Sequence, residues 1–415
     1  MRQIKTLQKK RCRLCDSPSF QEVINIGSHS LVNSFLKKED LRKKELLFPI
    51  VLRRCRNCSL VQLTEMVAPE EIYRKVNYLY FSSDAPGLAD YYQEYAEDIK
   101  KRFLNKGDFV LEMASNDGIM LNFFKQDYQI LGVDPATNVV LRALKRGLPS
   151  LPDFFTKDLA QKILKEWGTA KVIMANNCIG HIDDLKDVLS GVNLLLGKDG
   201  VFVIEVHYWG NMLKQINYSL IYHDHYSYPT LKVWSEQAPR FGLRVFDAFV
   251  PPIQDNCNIR IFLCKDDRPL TKRLKDLEKY EEKHKLNDYQ TCLQYRQTVL
   301  NTAQQLRQLL GDLKKNGKRL AGYGASAKAG TISRLSNLNK DLLDNFVDDS
   351  PAKHGLYTPI YHLPIISMAE AEKNLPDYFV ILAPNYAQSI INRRQDFLER
   401  GGHFIIPDGA KIKII

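Results

Sequence analysis

The stretch VLEMASNDG, residues 110–118, decides the fold of this 415-residue chain. Its apolar beginning predicts a buried strand from Phe109 to Met113. Asn116 and Gly118 permit a tight turn after that strand, and we expect a helix from Ile119 to Phe124 directly behind the turn. Ligands of parallel α/β sheets bind outside the carboxyl ends of the strands, so this turn is a candidate binding site.

Two strand ends downstream also carry polar residues. The stretch YQILGVDPA places Asp134 after a strand, and AKVIMANN places Asn176 and Asn177 after the next one. A carboxylate at Asp134 can accept hydrogen bonds from both hydroxyl groups of a ribose, as the acid of a dinucleotide fingerprint does. The first turn holds only one glycine, which leaves no room for a pyrophosphate and disfavours NAD.

The ordered set of strand ends favours S-adenosylmethionine as cofactor and the doubly wound α/β sheet of a class I methyltransferase. A fourth strand is expected in GVFVIEVHYW. An unspecified nucleotide-binding sheet is the alternative. The residues expected to bind the cofactor are Glu112, Ser115, Asn116, Asp117, Gly118, Asp134, Asn176 and Asn177.

Four cysteines near the N-terminus form two pairs, Cys12 with Cys15 and Cys55 with Cys58. The two thiolates of a CxxC pair can bind the same ion, and two such pairs together supply the four thiolates of one closed, structural Zn²⁺ site. The 39 residues between the pairs need a hairpin or loop of their own. Unrelated buried cysteines and a redox CxxC are the alternatives. The other four cysteines lack such spacing and are expected to be buried.

Composition narrows the classes of protein. No run of about 18 apolar residues exists, so we expect no membrane span and a cytoplasmic location. The formal net charge of +11 raises the question of a nucleic-acid partner. Acidic residues interleave with the lysines of residues 265–285, which is typical of a solvated helix face and makes nucleic acid unlikely.

The segment IYHDHYSY, residues 221–228, concentrates ionisable and aromatic side chains. Burial of such a group is costly unless its members are partnered, and proton-transfer sites are where this density is usual. His225 is the candidate general base because the pKa of histidine lies near neutrality. A metal ligand and an ordinary buried histidine are the alternatives. His181, after the third strand, is expected to reach the same crevice.

The C-terminal third begins with a long, charged, amphipathic helix over residues 266–316. The stretch RLAGYGASAKAGTIS follows and predicts a strand, a glycine turn and a helix, with Lys328 at the turn. An ammonium group and backbone amides can meet a phosphate there, although a purely structural turn explains the pattern equally well. Later strands predict a second small parallel sheet, and we infer no second cofactor.

Six motifs in this order behind the cysteine module resemble the deoxysugar C-methyltransferase family. They are YLYFSSDAP, VLEMASNDG, GVDPATNV, ANNCIGHIDD, IYHDHYSY and GYGASAKAGT. The resemblance covers nearly the whole chain. It implies a zinc-binding module (1–75), a methyltransferase domain that binds S-adenosylmethionine (76–250) and a C-terminal Rossmann-like α/β domain that closes over the substrate (251–415).

The resemblance also implies an activity, which is methylation of a ring carbon in nucleotide-linked 4-keto sugars. A base removes the proton next to the ketone, and the enolate carbon takes the methyl group. The family's motifs make His225 the base, His181 and Tyr222 donors to the enolate oxygen, and Asp224 an orienting or sugar-binding group. The substrate-binding residues implied are Tyr78, Tyr80, Lys328 and Arg260.

Two stretches depart from the family pattern. Asp224 stands where the family usually has glutamate, and IQDNCNIRIFL replaces a glycine-rich segment. Both departures would lie near the substrate, so the sugar, its nucleotide and the methylated atom stay open. O- or N-methyl transfer, a zinc-containing nucleic-acid-binding or nucleic-acid-modifying protein, and a binding protein without catalysis are the alternatives. The sequence does not predict an oligomeric state.

Overall fold

A computed structural model describes residues 6–74, 78, 80–85, 87–252 and 257–415. It contains three larger sheets and a two-stranded ribbon. The predicted α/β class, with a small N-terminal module and a second α/β sheet at the C-terminus, is confirmed.

The N-terminal sheet is antiparallel and four-stranded. In spatial order its strands are Ser227–Tyr228, Val61–Leu63, Phe48–Cys55 and Phe20–His29. Thr6–Gln8 pairs with Glu65–Val67 in the ribbon beside it, and the helix Pro69–Tyr73 follows. The pairing of Phe20–His29 with Phe48–Cys55 is the hairpin expected between the cysteine pairs. Because Ser227–Tyr228 joins this sheet, the IYHDHYSY segment is fixed against the N-terminal module.

The central sheet has seven strands. In spatial order they are Arg244–Phe249, Asn258–Cys264, Leu196–His207, Ala170–Asn176, Phe109–Met113, Gln129–Val133 and Ser150–Leu151. The first two are antiparallel to their neighbours, and the other five run parallel. The chain order reverses between Phe109–Met113 and Ala170–Asn176, which makes this position the topological switch point where such sheets bind ligands.

Six helices belong to this part of the described chain. They are Leu88–Phe103, Thr137–Lys145, Lys157–Trp167, Leu185–Leu195, Trp209–Gln215 and Leu231–Gln237. Short 3-10 turns occur throughout the described residues, at Lys38–Asp40, Ser82–Asp84, Leu121–Phe123, Ile179–His181, Ala238–Phe241, Pro351–Lys353, Glu372–Asn374 and Pro384–Tyr386.

The helix predicted from Ile119 to Phe124 is wrong. Turns and one 3-10 turn, Leu121–Phe123, occupy this segment. The side chains of Ile119, Met120 and Leu121 are all buried. The backbone closes tighter turns instead: the N–H groups of Phe123 and Phe124 donate to the carbonyls three residues earlier, those of Met120 and Leu121, at 3.1 and 2.9 Å.

The C-terminal sheet has six strands. In spatial order they are Ile365–Ile366, Phe346–Val347, Leu320–Tyr323, Tyr378–Ile381, His403–Asp408 and Lys411–Ile414. All are parallel except the last, as the sequence predicts for a second parallel sheet. The helices of this region are Lys272–Lys283, Tyr289–Lys315, Ala327–Ser336, Met368–Ala371, Ala387–Arg393 and Gln395–Glu399.

The single long helix predicted over residues 266–316 is two helices. Lys272–Lys283 and Tyr289–Lys315 are separated by a turn in which Lys285 adopts a left-handed conformation with φ of 51°. Leu286 is buried there, and its N–H donates to the carbonyl of Glu281 at 3.0 Å. The turn thus places Leu286 in the core between the two helices' ends.

Polar contacts attach the C-terminal sheet to the other two. Thr331 Oγ1 donates to the carbonyl of Ile221 at 2.6 Å, and Glu45 contacts His362 Nε2 at 2.7 Å. The helix Ala327–Ser336 therefore lies directly over the IYHDHYSY segment. Across the described residues, no helix combines the length and apolar character needed to cross a bilayer.

Candidate active site

A cavity of about 750 Å³ lies outside the carboxyl ends of the central strands. This volume is in the range of small-molecule sites, about 300–1,000 Å³. Its walls come from the central sheet, the N-terminal module and the IYHDHYSY segment. The predicted site residues that line it are Glu112, Ser115, Asn116, Asp134, Asn176, Asn177, Tyr78, Tyr80, His181, Tyr222, Asp224 and His225.

The turn after Phe109–Met113 has the tight geometry that the sequence predicts. Asn116 and Gly118 have φ values of 51° and 77°, in the left-handed region that glycine and asparagine tolerate best. A Cβ on Gly118 would also collide with the Leu148 side chain. Gly118 and Asp117 are not among the cavity-lining residues, so they shape the turn from the side away from the cavity. Asp117 accepts from the backbone N–H of Ser83 at 3.2 Å.

Asp134 closes the turn from the next strand. Its Oδ2 accepts from the N–H of Asn116 at 3.0 Å, and its Oδ1 accepts from the N–H of Ala136 at 2.9 Å. Burial raises the pKa of Asp134 to about 6, against the lowering effect of these two hydrogen bonds. The carboxylate thus faces the cavity with remaining capacity to accept hydrogen bonds from a ribose.

Glu112 and Asn176 lie beside each other at the switch point. Asn176 Nδ2 donates to Glu112 Oε1 at 2.9 Å. Glu112 Oε2, Asn176 Oδ1 and Ser115 Oγ are buried and have no hydrogen-bond partner among the described residues. Burial raises the pKa of Glu112 to about 8, because a buried carboxylate is costly to ionise, and the hydrogen bond from Asn176 offsets only part of this effect. A ligand that carries hydroxyl and ammonium donors, as S-adenosylmethionine does, fits these acceptors.

His225 lies at the other end of the cavity. Its Nδ1 is 2.7 Å from the carbonyl of Leu220, which can only accept, so Nδ1 carries the proton and Nε2 the lone pair. Burial, then the charges of neighbouring histidines, hold the pKa of His225 well below its usual range. The ring centroids of Tyr222 and His181 are 4.1 and 4.8 Å away. His225 is therefore a neutral, oriented imidazole.

His207, which was not predicted from the sequence, also belongs to the site, and its Nε2 lies 3.2 Å from His225 Nε2. His207 ends the strand Leu196–His207 and lines the cavity. The rule that singled out Asn176 at the end of the neighbouring strand would have found it. His207 Nδ1 contacts Asn258 Oδ1 at 2.9 Å, and Asn258 Nδ2 donates to Asn177 Oδ1 at 2.6 Å.

Tyr73 was also missed. Its hydroxyl lies 3.1 Å from His181 Nδ1, although 108 residues separate the two in the chain. Burial lowers the pKa of His181 to about 3, so this imidazole is neutral. The N-terminal module thus reaches the site through the last residue of its helix Pro69–Tyr73.

Asp224 makes no hydrogen bond with His225 among the described contacts. The carbonyl of Leu220 orients the His225 ring instead. Asp224 Oδ1 is buried without a hydrogen-bond partner in the described part of the chain, and burial raises the pKa of Asp224 to about 7. Its position on the cavity wall suits contact with a ligand hydroxyl.

Two residues expected at the substrate are not brought to the cavity wall. Arg260 is 4% exposed inside the sheet, where it forms an ion pair with Glu205 at 2.8 Å. Its guanidinium lies over the Tyr95 ring at 3.3 Å. Lys328 is in the first turn of the helix Ala327–Ser336, and its charge contributes to the low pKa of His225. Residues 253–256 of the altered stretch lie outside the described residues.

The four paired cysteines meet in the N-terminal module. Their sulfur atoms all lie within 4.8 Å of one another, with Cys12 and Cys58 Sγ 3.5 Å apart and Cys15 and Cys55 Sγ 3.4 Å apart. Four convergent thiols fit a tetrahedral Zn²⁺ ion and leave no position for substrate. The metal is structural. The other four cysteines, which lack such spacing, are buried as expected.

Comparison with known proteins shows the family to which the chain belongs. The C-methyltransferase NovU from Streptomyces niveus is 31% identical over 400 residues, which cover 95% of this chain and 94% of that protein. The chain belongs to the C-methyltransferase family. Family models match in three segments: "Putative zinc binding domain" over 12–73, "Methyltransferase domain" over 88–248 and "C-methyltransferase C-terminal domain" over 257–407.

Solved structures also match part of this C-methyltransferase. The CcbJ methyltransferase from Streptomyces caelestis is 12% identical with a TM-score of 0.36, covering 44% of this chain and 94% of its own. An S-adenosylmethionine-dependent methyltransferase from Clostridium acetobutylicum is 12% identical with a TM-score of 0.34. The match covers 45% of this chain and 94% of that protein's chain.

The protein is therefore an S-adenosylmethionine-dependent C-methyltransferase that carries a structural zinc site. Glu112, Asp134 and Asn176 present the acceptors that suit its cofactor.

Proposed function

We propose that this enzyme transfers a methyl group to a ring carbon of a nucleotide-linked keto-deoxysugar, next to the ketone. One observation carries the proposal: His225 lines the same cavity as Glu112 and Asp134. A carbon next to a ketone must lose a proton before it can take a methyl group, so a base has to lie beside the cofactor.

The proposed reaction begins at His225 Nε2, which takes the proton from the substrate carbon. The electrons of the broken C–H bond move toward the ketone oxygen and form an enolate. His181 and Tyr222 donate hydrogen bonds to that oxygen while negative charge develops on it. Asp224 holds a sugar hydroxyl. S-adenosylmethionine, held by Glu112, Asp134, Asn176 and the 114–118 turn, supplies the electrophilic methyl group.

The nucleotide-linked substrate is supported by charge and by family resemblance. The chain carries a formal net charge of +11, and Lys328 lies in the first turn of a helix that Ser326 caps. A helix N-terminus with a lysine suits a diphosphate. We assign Lys328 to the diphosphate, and Tyr78 and Tyr80 to the sugar pocket that they line.

The same proposal divides the chain into three domains, 1–75, 76–250 and 251–415. The first would hold the metal, the second the cofactor, and the third would close over the substrate. The attachment of the helix Ala327–Ser336 to the carbonyl of Ile221 supports this closure.

The test is methyl transfer from S-adenosylmethionine labelled with ¹³C in its methyl group. The probes are nucleoside diphosphate 4-keto-6-deoxyhexoses with thymidine, uridine, guanosine or cytidine. We expect one of them to gain a label bonded to the ring carbon next to the ketone, as read by carbon–carbon coupling in NMR.

A label on a sugar oxygen or nitrogen would replace this proposal by O- or N-methyl transfer. No label on any nucleotide sugar would contradict the substrate class. The Glu370→Gln variant, which changes an exposed glutamate of the C-terminal region, is the control for sample quality and should transfer the label like the wild type.

A further inference from the structure

We propose that His207 is a positioning residue that shares the abstracted proton with His225. The inference rests on the proposed function and deepens it, because it says where the proton from the substrate carbon is held. Its basis is the 3.2 Å approach of the two Nε2 atoms at the cavity wall.

Both imidazoles have their Nδ1 atoms committed as donors. His225 Nδ1 faces the carbonyl of Leu220 at 2.7 Å, and His207 Nδ1 faces Asn258 Oδ1 at 2.9 Å. Each of these oxygens accepts, so each Nδ1 carries a proton. In the neutral pair, both Nε2 atoms then carry lone pairs and lie 3.2 Å apart.

The orientation of the Asn258 amide decides the tautomer of His207. Asn258 Nδ2 lies 3.3 Å from Glu205 Oε1 and 2.6 Å from Asn177 Oδ1. Glu205 is a carboxylate in a buried ion pair with Arg260, so it can only accept. The amide nitrogen must therefore face Glu205, which turns the Asn258 oxygen toward His207.

This chain of contacts gives Arg260 a role away from the substrate. Arg260 Nε and Nη2 donate to Glu205 Oε2 at 2.9 and 2.8 Å. The ion pair holds the Glu205 carboxylate in place, and that carboxylate sets the orientation of the Asn258 amide. The amide oxygen in turn sets the tautomer of His207. The residues Asn258 and Arg260 both belong to the stretch IQDNCNIRIFL, residues 253–263.

One added proton changes the pair from repulsive to attractive. With a proton on His225 Nε2, that nitrogen donates to the lone pair of His207 Nε2 and forms a charge-assisted hydrogen bond. Burial disfavours the charged form of His225 on its own. Sharing the proton offsets part of this cost, so His225 becomes a stronger base than an isolated buried histidine.

The proton balance is simple. The C–H bond of the substrate breaks, its electron pair stays on the substrate as the enolate, and the proton is held between the two Nε2 atoms. It leaves to solvent after methyl transfer, which restores the neutral pair. The groups that face His225 are His181, His207, Tyr222, Tyr228 and Lys328.

The first test needs no substrate. The full-length zinc-loaded protein, labelled with ¹⁵N in its histidine rings, is examined by NMR at pH 7.5, with His207→Phe and His225→Phe used for assignment. We expect neutral His207 and His225 to carry their protons on Nδ1. A proton fixed on His207 Nε2 would overturn the proposal, because the lone pair of His225 would then be occupied.

The second test uses whichever nucleotide sugar is methylated in the assay above. His207→Phe should lower kcat by at least about tenfold with KM within about twofold, because the base is weaker. It should also move the acid limb of the kcat profile to lower pH by about one unit, the equivalent of that tenfold loss of proton affinity. His207→Gln, which keeps an acceptor, should restore part of both.

A purely structural role predicts lower stability or a higher KM with the acid limb unmoved, and that result would contradict the proposal. His284→Gln, an exposed histidine on a distant turn, is the control and should leave rate and profile unchanged. If no sugar is methylated, the proposed function fails, whereas the tautomers in the first test still decide whether the pair exists.

Discussion

The central and C-terminal sheets build the same turn in two ways. In each, a strand runs into a turn, and an aspartate after the neighbouring strand closes that turn. Asp134 accepts from the N–H groups of Asn116 and Ala136 at 3.0 and 2.9 Å. Asp348 accepts from the N–H groups of Ala325 and Ser350 at 2.8 and 2.9 Å.

The two aspartates differ in their third partner. Lys353 Nζ lies 3.0 Å from Asp348 Oδ2, so the charge of Asp348 is balanced within the protein. Asp134 faces the cavity, and burial raises its pKa to about 6. The same turn is thus a structural joint in the C-terminal sheet, whereas in the central sheet it faces the cavity that we propose as the ligand site.

The largest effect should come from removing His225, the proposed base. His225→Ala should lower kcat for methyl transfer by about 10²–10⁴-fold while the protein stays folded, because no other described group has its position. Steady-state kinetics measure the loss. The control is His354→Ala, which removes the histidine that contacts the backbone of Asp348 at 2.8 Å, and it should keep the wild-type kcat.

The next largest effect should be a loss of cofactor affinity that follows substitution of Asp134 but not of Asp348. Asp134→Asn should weaken S-adenosylmethionine binding by about 10- to 100-fold, because hydrogen bonds to a charged acceptor are worth about 1.5–3 kcal/mol. Isothermal titration at pH 7.5 measures the dissociation constant. Asp348→Asn is the matched control and should stay within about twofold of wild type. Equal weakening in both variants would break the distinction between the turns.

The free energy of unfolding should show the opposite order, with a larger loss for the Asp348 variant than for the Asp134 variant. Asp348→Asn removes the partner of Lys353 and should lower the free energy of unfolding by about 1–3 kcal/mol. Asp134→Asn should cost less in the absence of cofactor, because its carboxylate lacks a cation partner among the described residues. Urea unfolding of both variants measures the difference, and a larger loss for Asp134→Asn would reverse the comparison.

A smaller effect is a pH dependence of the free energy of unfolding, which we expect from Glu112 in the cavity wall. The pKa of Glu112 is about 8 in the folded protein against 4.5 for the free group. Between these values the folded state binds a proton that the unfolded state has lost. Glu112 therefore makes unfolding easier as pH rises, by about 1.4 kcal/mol per pH unit, and adds no slope above about pH 8.

Urea unfolding of the cofactor-free protein between pH 6 and pH 8 measures this slope. Glu112→Gln should flatten it by that amount, whereas Glu370→Gln, an exposed glutamate of the C-terminal region, should not. A slope unchanged by Glu112→Gln would mean that Glu112 is ionised in the fold.

The sequence predicted those parts of the site that depend on local pattern. Strand ends with polar residues located Glu112, Asp134 and Asn176, since alternation of apolar strands and turns can be seen in a short window. Paired cysteines located the zinc site for the same reason. The predicted helix after the turn is wrong because the segment closes short i→i+3 turns instead, and its apolar pattern does not distinguish these from an α-helix.

The missed contacts join segments that are distant in the chain. Tyr73 meets His181 through packing of the N-terminal module, and no local pattern indicates this. The family resemblance implied that Arg260 binds the substrate, but its partner Glu205 lies on the adjacent strand. Register between strands decides that pair, and strand pairing cannot be derived from one sequence alone.

The most direct test of the account is hydrogen exchange at the substrate carbon. The enzyme is incubated in D₂O with the accepted nucleotide keto sugar and S-adenosylhomocysteine, which fills the cofactor site without donating a methyl group. The account predicts that deuterium enters the position next to the ketone with wild type and not with His225→Ala. Methyl transfer by the wild type without any such exchange, or equal exchange in the variant, would contradict it.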